Sequence, residues 1–238
     1  MKKYLITGGS SGIGRAVLDS LLDNSVVYNV DIKPTDIEHH NYRFIQMDLS
    51  KHKQISKKTP KDINFDGIFL NAGIHMSANI FESSIEDIEH VLAINVMSSI
   101  VILKCLEHSL NDGCSIVING SDQCFIAKEN SFAYCLSKGA IAQMTKSLAL
   151  DLTKKNIRVN AVCPSTTDTP LYRSAINKYS AQSGIAIDLI EKEEAKEIPI
   201  NRVGTSQEIA NVVLFLLSSK SSFMTGSLVP VDGGYTAR

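Results

Sequence analysis

The chain has 238 residues, of which 44% are hydrophobic, and 24 basic against 25 acidic side chains give a formal net charge of -1. That length suits one α/β domain with a continuous core, and the balanced charge argues against nucleic acid or an anionic membrane as a partner. The apolar run VLFLLSS at residue 213 is far below the roughly 20 residues that span a bilayer, and glycines follow MKKYLIT too soon for a signal peptide. A cytoplasmic location is expected. Five cysteines, irregularly spaced and without C-x-x-C, predict free thiols rather than a disulfide framework or a zinc site.

In chain order, residues 2–7 read as a strand, followed by a Gly/Ser loop and a helix from Gly12 to Asp23. Further strands are predicted at Val26–Val30, Tyr42–Gln46, Phe65–Leu70, Cys114–Asn119, Ile157–Val162 and Ser227–Val231. Helical patterns lie at 84–110, 131–155 and 206–219. Runs such as GIFL and SIVI are apolar at nearly every position, as strands buried on both faces of a parallel sheet are. Strand–helix alternation implies an α/β, doubly wound sheet with right-handed crossovers. Residues 51–62, KHKQISKKTPKD, are expected to form a short polar connection with a solvated face. Residues 170–200 form a long excursion, the length of a lid or substrate loop.

Thr7-Gly8-Gly9-Ser10-Ser11-Gly12-Ile13-Gly14 joins the first strand to the first helix. Glycines at this spacing let the backbone turn tightly and approach a pyrophosphate, which would face the helix N-terminus. Its place straight after a strand points to nucleotide binding. Asp31 ends the second strand, where a carboxylate can accept bonds from both adenosine ribose hydroxyls and repel a 2′-phosphate, favouring NAD over NADP. Lys33 weighs in the other direction. Asp48 and Leu49 follow the third strand, in reach of an adenine ring. His39 and His40 read as surface histidines, and no metal is expected.

Tyr134 and Lys138 stand four apart in the helical pattern FAYCLSKGAIAQMTKSLAL, on one face. A tyrosine of pKa about 10 is a weak base at neutral pH, and a neighbouring ammonium stabilises its phenolate. Ser121 ends the strand SIVINGS, Asn95 sits in the helix before it, and Asn71-Ala72-Gly73 ends the fourth strand. T-G-x-x-x-G-x-G, N-A-G, the helix asparagine, the strand-end serine and Y-x-x-x-K occur here in order. The match runs on through Ile157–Pro164 to Val231-Asp232-Gly233-Gly234-Tyr235. Over essentially its whole length the chain resembles the short-chain dehydrogenase/reductase family in its compact form.

The resemblance implies a single Rossmann-type domain over residues 1–238, with a mostly parallel seven-stranded sheet and a substrate lid around 170–200. It implies hydride transfer between NAD(H) and an alcohol/carbonyl group of a small polar substrate. Tyr134 would be the general acid/base and Ser121 would bind the same substrate oxygen. Lys138 would hold the nicotinamide ribose, and Asn95 would hold a water that links Lys138 to solvent. Gly8, Ser10, Ser11, Gly12, Ile13 and Gly14 would bind the cofactor phosphates, and Asp31, Ile32, Asp48 and Leu49 the adenosine. Asn71, Ala72 and Gly73 would line its ribose; Pro164, Thr167 and Thr169 would contact the carboxamide and diphosphate side.

Gln123 is a further candidate for the substrate, with Asp122, Phe125 and the 170–200 excursion as pocket walls. A polyol, a sugar-derived acid, a hydroxy-acid and an acyl thioester all remain open as substrates. The family suggests a homotetramer. Two departures stand out: Ser165 where glycine usually follows the proline, with a backbone cost expected if that turn needs positive φ, and Gly120 where serine is common. Two other readings stay open. One is an NADPH-dependent carbonyl or acyl-thioester reductase, with Lys33 and the basic 51–61 segment drawing the extra phosphate. The other is a non-catalytic nucleotide sensor.

Overall fold

The computed structural model describes residues 1–237. Seven parallel strands form the central sheet: β1 (Lys2–Thr7), β2 (Ser25–Asp31), β3 (Tyr42–Gln46), β4 (Phe65–Leu70), β5 (Leu110–Asn119), β6 (Arg158–Pro164) and β9 (Leu228–Val231). Their order is β3-β2-β1-β4-β5-β6-β9, and β7 (Thr167–Asp168) pairs separately with β8 (Gly204–Thr205). This is the doubly wound arrangement the alternation predicts.

Successive strand residues point to opposite faces. Leu5, Ile68 and Ile116 pack on one side with Ile102 and Ile141. Ile6, Phe69 and Val117 pack on the other with Val17, Leu18, Val213 and Leu216. The first layer is built by α2 (His52–Lys58), α4 (Ser98–Cys105) and α5 (Phe132–Leu152), the second by α1 (Gly12–Leu22) and α8 (Ser206–Leu217). Phe69 has no exposed surface, so Phe69→Ala would cost about 3–5 kcal/mol.

The sequence reading needs correction in several places. Residues 52–58 are a helix, because Ile55, the one buried apolar side chain among lysines, docks it on the core. The 170–200 excursion is two helices, α6 (Pro170–Ser183) and α7 (Ile187–Glu197). They are mostly exposed and anchored by Ile176 and Ile190, so they lack an apolar stripe. The helix expected at 84–110 is α3 (Ile85–Leu92), a π turn (Ala93–Met97) and α4. It ends at Cys105, and Leu110 instead begins β5.

Residues 85–105 have a mean hydropathy of 1.6 in their most apolar window and are long enough to cross a membrane, but they pack here within the helical layer. The Arg158 guanidinium binds carbonyls of Leu216, Ser218, Ser221 and Met224. It thereby satisfies the C-terminal end of α8 and ties it to β6.

Candidate active site

Between β1 and β4 the crossovers leave in opposite directions, and the strand ends open a crevice. Gly8 and Gly12 there have φ of +69° and +56°, a region that glycine enters without strain. A Cβ on Gly14 would lie 2.2 Å from the Gly8 carbonyl oxygen. No side chain caps the α1 N-terminus, which leaves its first amide groups for an anionic ligand. Thr7 Oγ1 accepts the N–H groups of Asn71 and Ala72 at 2.9 and 3.0 Å. The Asn71 amide donates to the Thr7 and Gly8 carbonyls, so the Asn71–Gly73 turn is fastened to the glycine loop.

Gly8, Ser11, Gly12 and Ile13 line a cavity of about 470 Å³. Asp31, Ile32, Asp48 and Leu49 also line it, as do Asn71, Ala72, Gly73 and Thr169. Ser10 and Gly14 are not among its lining residues. The Ser10 N–H donates to Asp31 Oδ2 at 3.0 Å, and its hydroxyl to the Lys33 carbonyl at 2.7 Å. The sequence reading missed Met47, Ile74, His90 and Ile94, which also line the cavity. Lys33 is not among the lining residues, nor are the lysines of 51–61.

A second cavity, of about 360 Å³, shares Ile13, Asn119, Thr169 and Leu171 with the first. Ser121, Gln123, Tyr134, Pro164 and Thr167 line it. At the junction Asn119 Oδ1 is shut off from water with no hydrogen-bond donor. A buried acceptor of that kind fits a ligand that bridges the two cavities. A glycine loop, a strand-end carboxylate and this acceptor together fit a dinucleotide.

Ser121 follows β5 and caps the short 3₁₀ turn Asp122–Cys124. Its hydroxyl and the Tyr134 phenol face the same cavity, so the two groups can address one oxygen atom. Burial pushes the Tyr134 pKa up, and the nearby Ser121 hydroxyl pulls it back in part. Lys138 Nζ lies 5.2 Å from the Tyr134 ring centroid and donates to the Asn119 carbonyl at 2.8 Å. Its own pKa is pushed down to about 8 by burial. The π turn holds Asn95 so that Oδ1 accepts from Ile74 N at 2.8 Å, while Nδ2 donates to the Ile74 carbonyl and Ser137. Asn95 thus pins the segment after the Asn71–Gly73 turn.

That segment carries His75, whose ring packs edge-on against Tyr134 with centroids 4.9 Å apart. Sequence reasoning missed it, although its place four residues after Asn71 was a usable signal. Gln123 Oε1 accepts the Ser131 hydroxyl at 3.0 Å and the Cys135 thiol at 2.7 Å. Asp122 is in the wall, but Phe125 is 46% exposed and outside it; it belongs to the surface. The 170–200 excursion contributes Leu171, Tyr172, Ala175 and Glu194 to the wall, as expected, whereas Lys128 was missed.

Ser165 does not take positive φ. The expected backbone cost is therefore absent, and its hydroxyl donates to the Asp232 carbonyl at 3.1 Å. Among the described residues no group of three metal-ligating side chains converges.

A family model described as enoyl-(acyl carrier protein) reductase matches residues 27–236. An uncharacterized oxidoreductase of Thermotoga maritima is 32% identical, over 99% of this chain and 98% of its own. The crystal structure of a short chain dehydrogenase family protein from Francisella tularensis superposes with a TM-score of 0.98 at 57% identity, covering 100% of both chains. Thermoplasma acidophilum aldohexose dehydrogenase, in ligand-free form, gives 0.92 at 32% identity, over 100% of this chain and 94% of its own. With the glycine loop, N-A-G and Y-x-x-x-K gathered at one crevice and these relatives matching end to end, the chain belongs to the short-chain dehydrogenase/reductase family of oxidoreductases.

Proposed function

We propose that the chain is an NAD-dependent dehydrogenase that interconverts a secondary alcohol and its carbonyl compound on a small polar substrate. The observation that carries this reading is the convergence of Ser121 and Tyr134 on the wall of the second cavity, with Lys138 Nζ 5.2 Å from the Tyr134 ring centroid. NAD, when bound along the first cavity, supplies the hydride acceptor. Tyr134 takes the alcohol proton in oxidation and returns it in reduction. Ser121 contacts the same oxygen and offsets the charge that develops on it. The Lys138 ammonium stabilises the Tyr134 phenolate. Asn95 Oδ1 has room for a second donor, and a water there leads from Lys138 to solvent.

Asp31 supports NAD over NADP, because its carboxylate closes the adenosine end while Lys33 lies outside the wall. Helices α6 and α7 form the lid, contributing Leu171, Tyr172, Ala175 and Glu194 to the second cavity. A homotetramer accounts for exposed Leu136 and Leu150 on α5 and for fully exposed Phe223. No nucleic-acid or membrane partner enters this reading, and the chain's place is the cytoplasm.

The test is Tyr134→Phe. Turnover with a panel of secondary alcohols and ketones should fall by roughly 10²–10⁴-fold while NADH binding, read by fluorescence, persists. Equal turnover in the variant rejects the reading. A wild-type protein that binds NADH yet turns over nothing favours a nucleotide sensor.

A further inference from the structure

We propose that Lys128 is a positioning residue for the reaction: its ammonium is the counter-ion that keeps the Asp122 carboxylate from withholding the Ser121 hydroxyl and from opposing charge on the Tyr134 oxygen. This rests on the dehydrogenase reading and adds a residue to its machinery.

The first argument is geometry. The Ser121 hydroxyl donates to Asp122 Oδ1 at 2.6 Å, so a carboxylate stands directly behind one of the two groups that address the reacting oxygen. Lys128 Nζ lies 2.8 Å from the other oxygen, Oδ2. That oxygen has no aligned hydrogen bond and is shut off from water, and the Asp122 side chain is 3% exposed. A carboxylate so placed is tolerated only beside a countercharge. Lys138 also feels the Asp122 charge, but its Nζ donates to the Asn119 carbonyl. Lys128 itself is held in place. The Tyr235 ring lies across it, 4.6 Å from Nζ to centroid, a contact that favours the cation. The turn after β9 places that ring: Asp232 accepts the Gly234 N–H at 3.0 Å and the Thr236 N–H at 2.9 Å. The Tyr235 hydroxyl donates to Glu197 Oε2 at 3.5 Å, which ties the turn to α7. Burial works against the Lys128 charge, but the Asp122 carboxylate prevails, with help from Glu194, and keeps its pKa above the ordinary lysine value. Lys128 is therefore an ammonium at working pH.

The second argument is the charge around Tyr134. The polar and titratable groups facing it come from three elements: His75 after β4, Ser121, Asp122 and Cys124 after β5, and Cys135 and Lys138 on α5. Burial, then Lys128 and Lys138, push the His75 pKa down, so that ring is neutral. Asp122 is the one carboxylate in this set, and its charge works against the Tyr134 phenolate. With Lys128 beside it, the pair presents no net charge. Without Lys128, a full negative charge faces the phenol at short range, which disfavours its ionisation. The same charge also tightens the bond that Ser121 must give up before it can donate to a reacting oxygen.

The experiment uses the full-length protein with saturating NAD and with its tyrosines isotope-labelled at Cζ. The Tyr134 signal is assigned by its loss in Tyr134→Phe, and NMR across a pH series gives its midpoint of ionisation. A carboxyl ionises roughly six pH units below a phenol, so Asp122 is charged wherever Tyr134 titrates. Lys128→Met should raise the Tyr134 midpoint by about one pH unit, and Asp122→Asn should lower it by about as much. Lys128→Arg should keep the native midpoint, and the double variant Lys128→Met/Asp122→Asn should return to it. A pair that merely held the loop together would not move the midpoint in opposite directions from its two ends. Asp122→Asn also keeps the test decisive should Lys128→Met fail to fold. A midpoint unmoved by the single changes overturns the inference, and so does a rise that persists in the double variant. NAD itself should lower the native midpoint, because its positive nicotinamide ring would lie beside the phenol. If NAD leaves that midpoint where the free protein has it, the dehydrogenase reading falls, whatever the Lys128 variants do.

Discussion

The Ser121 hydroxyl donates to Asp122 Oδ1 at 2.6 Å, while the Gln123 N–H donates to Ser121 Oγ at 3.2 Å. The backbone therefore fixes where the serine oxygen sits, and the carboxylate fixes where its proton points. Lys128 on Oδ2 moderates that hold. To donate to a reacting oxygen, Ser121 must first give up a bond to a charged group, about 1.5–3 kcal/mol in strength. Asp122→Asn weakens it. On the alkaline plateau, where Tyr134 ionisation no longer limits, turnover should rise by up to about tenfold. Ser121→Ala should lower turnover by about 10²-fold. In that background Asp122→Asn should change nothing. A gain that survives in the double variant would mean that Asp122 does not act through Ser121.

Lys138 is buried, with its pKa pushed down to about 8 from 10.5. For a base whose folded pKa lies below its unfolded one, the unfolded chain binds more protons between about pH 8 and 10.5. Stability therefore rises with pH through that window. Below pH 8 the buried charge costs on the order of 3 kcal/mol, of which the bond to the Asn119 carbonyl returns about 1. Lys138→Met should raise Tm at pH 7 by about 5 °C, a gain that disappears by pH 10.5, while turnover falls by about 10²–10⁴-fold. Melting curves across this range decide it: a variant less stable at pH 7 contradicts the burial cost.

Asp31 is held by two backbone N–H groups, from Ser10 at 3.0 Å and Lys33 at 3.1 Å. Its carboxylate is thereby fixed in the wall of the first cavity, where the proposed function puts the adenosine. A 2′-phosphate brought there meets like charge without a lysine in the wall to offset it. NADH should bind at least about 100-fold tighter than NADPH, since like charges a few ångströms apart cost several kcal/mol at intermediate dielectric. Asp31→Ala should close most of that gap. Fluorescence titration with the two reduced coenzymes reads both; tighter NADPH binding by the native chain would reverse the cofactor assignment.

The strands were legible because β-branched and apolar runs buried on both faces leave a dense signal, as at Phe65–Leu70. Helix α2 was not, since a single buried isoleucine among lysines has no period to detect. Helices α6 and α7 touch the body at few apolar points, so their sequence reads as a loop. Tyr134, Lys138 and Ser121 stood out as residue types at set spacings. The Asp122–Lys128 pair depends on how one loop folds back, and Glu194 reaches the cavity only through the placement of α7. Those contacts are tertiary and leave no mark in local sequence. Ser165 looked costly until its backbone proved to lie outside the positive-φ region.

Gly120 is the departure that the structure explains through neighbours. A Cβ there would lie 2.9 Å from both Cys124 Sγ and Cys163 Sγ, and 3.1 Å from the Val162 carbonyl oxygen. The Cys124 thiol donates to the Lys138 carbonyl at 3.3 Å, and the two sulfurs fill the space that a serine side chain would need. Gly120→Ser should therefore destabilise the protein by about 1–3 kcal/mol, the cost of overpacking. Cys163→Ala removes one of the two sulfurs and leaves a small void of its own. If the thiols are the obstacle, Gly120→Ser with Cys163→Ala should cost clearly less than the two single changes added together. Urea unfolding of the three variants measures this. Strict additivity would place the obstacle at the Val162 carbonyl, and the glycine would then answer to the backbone of β6 rather than to the cysteines.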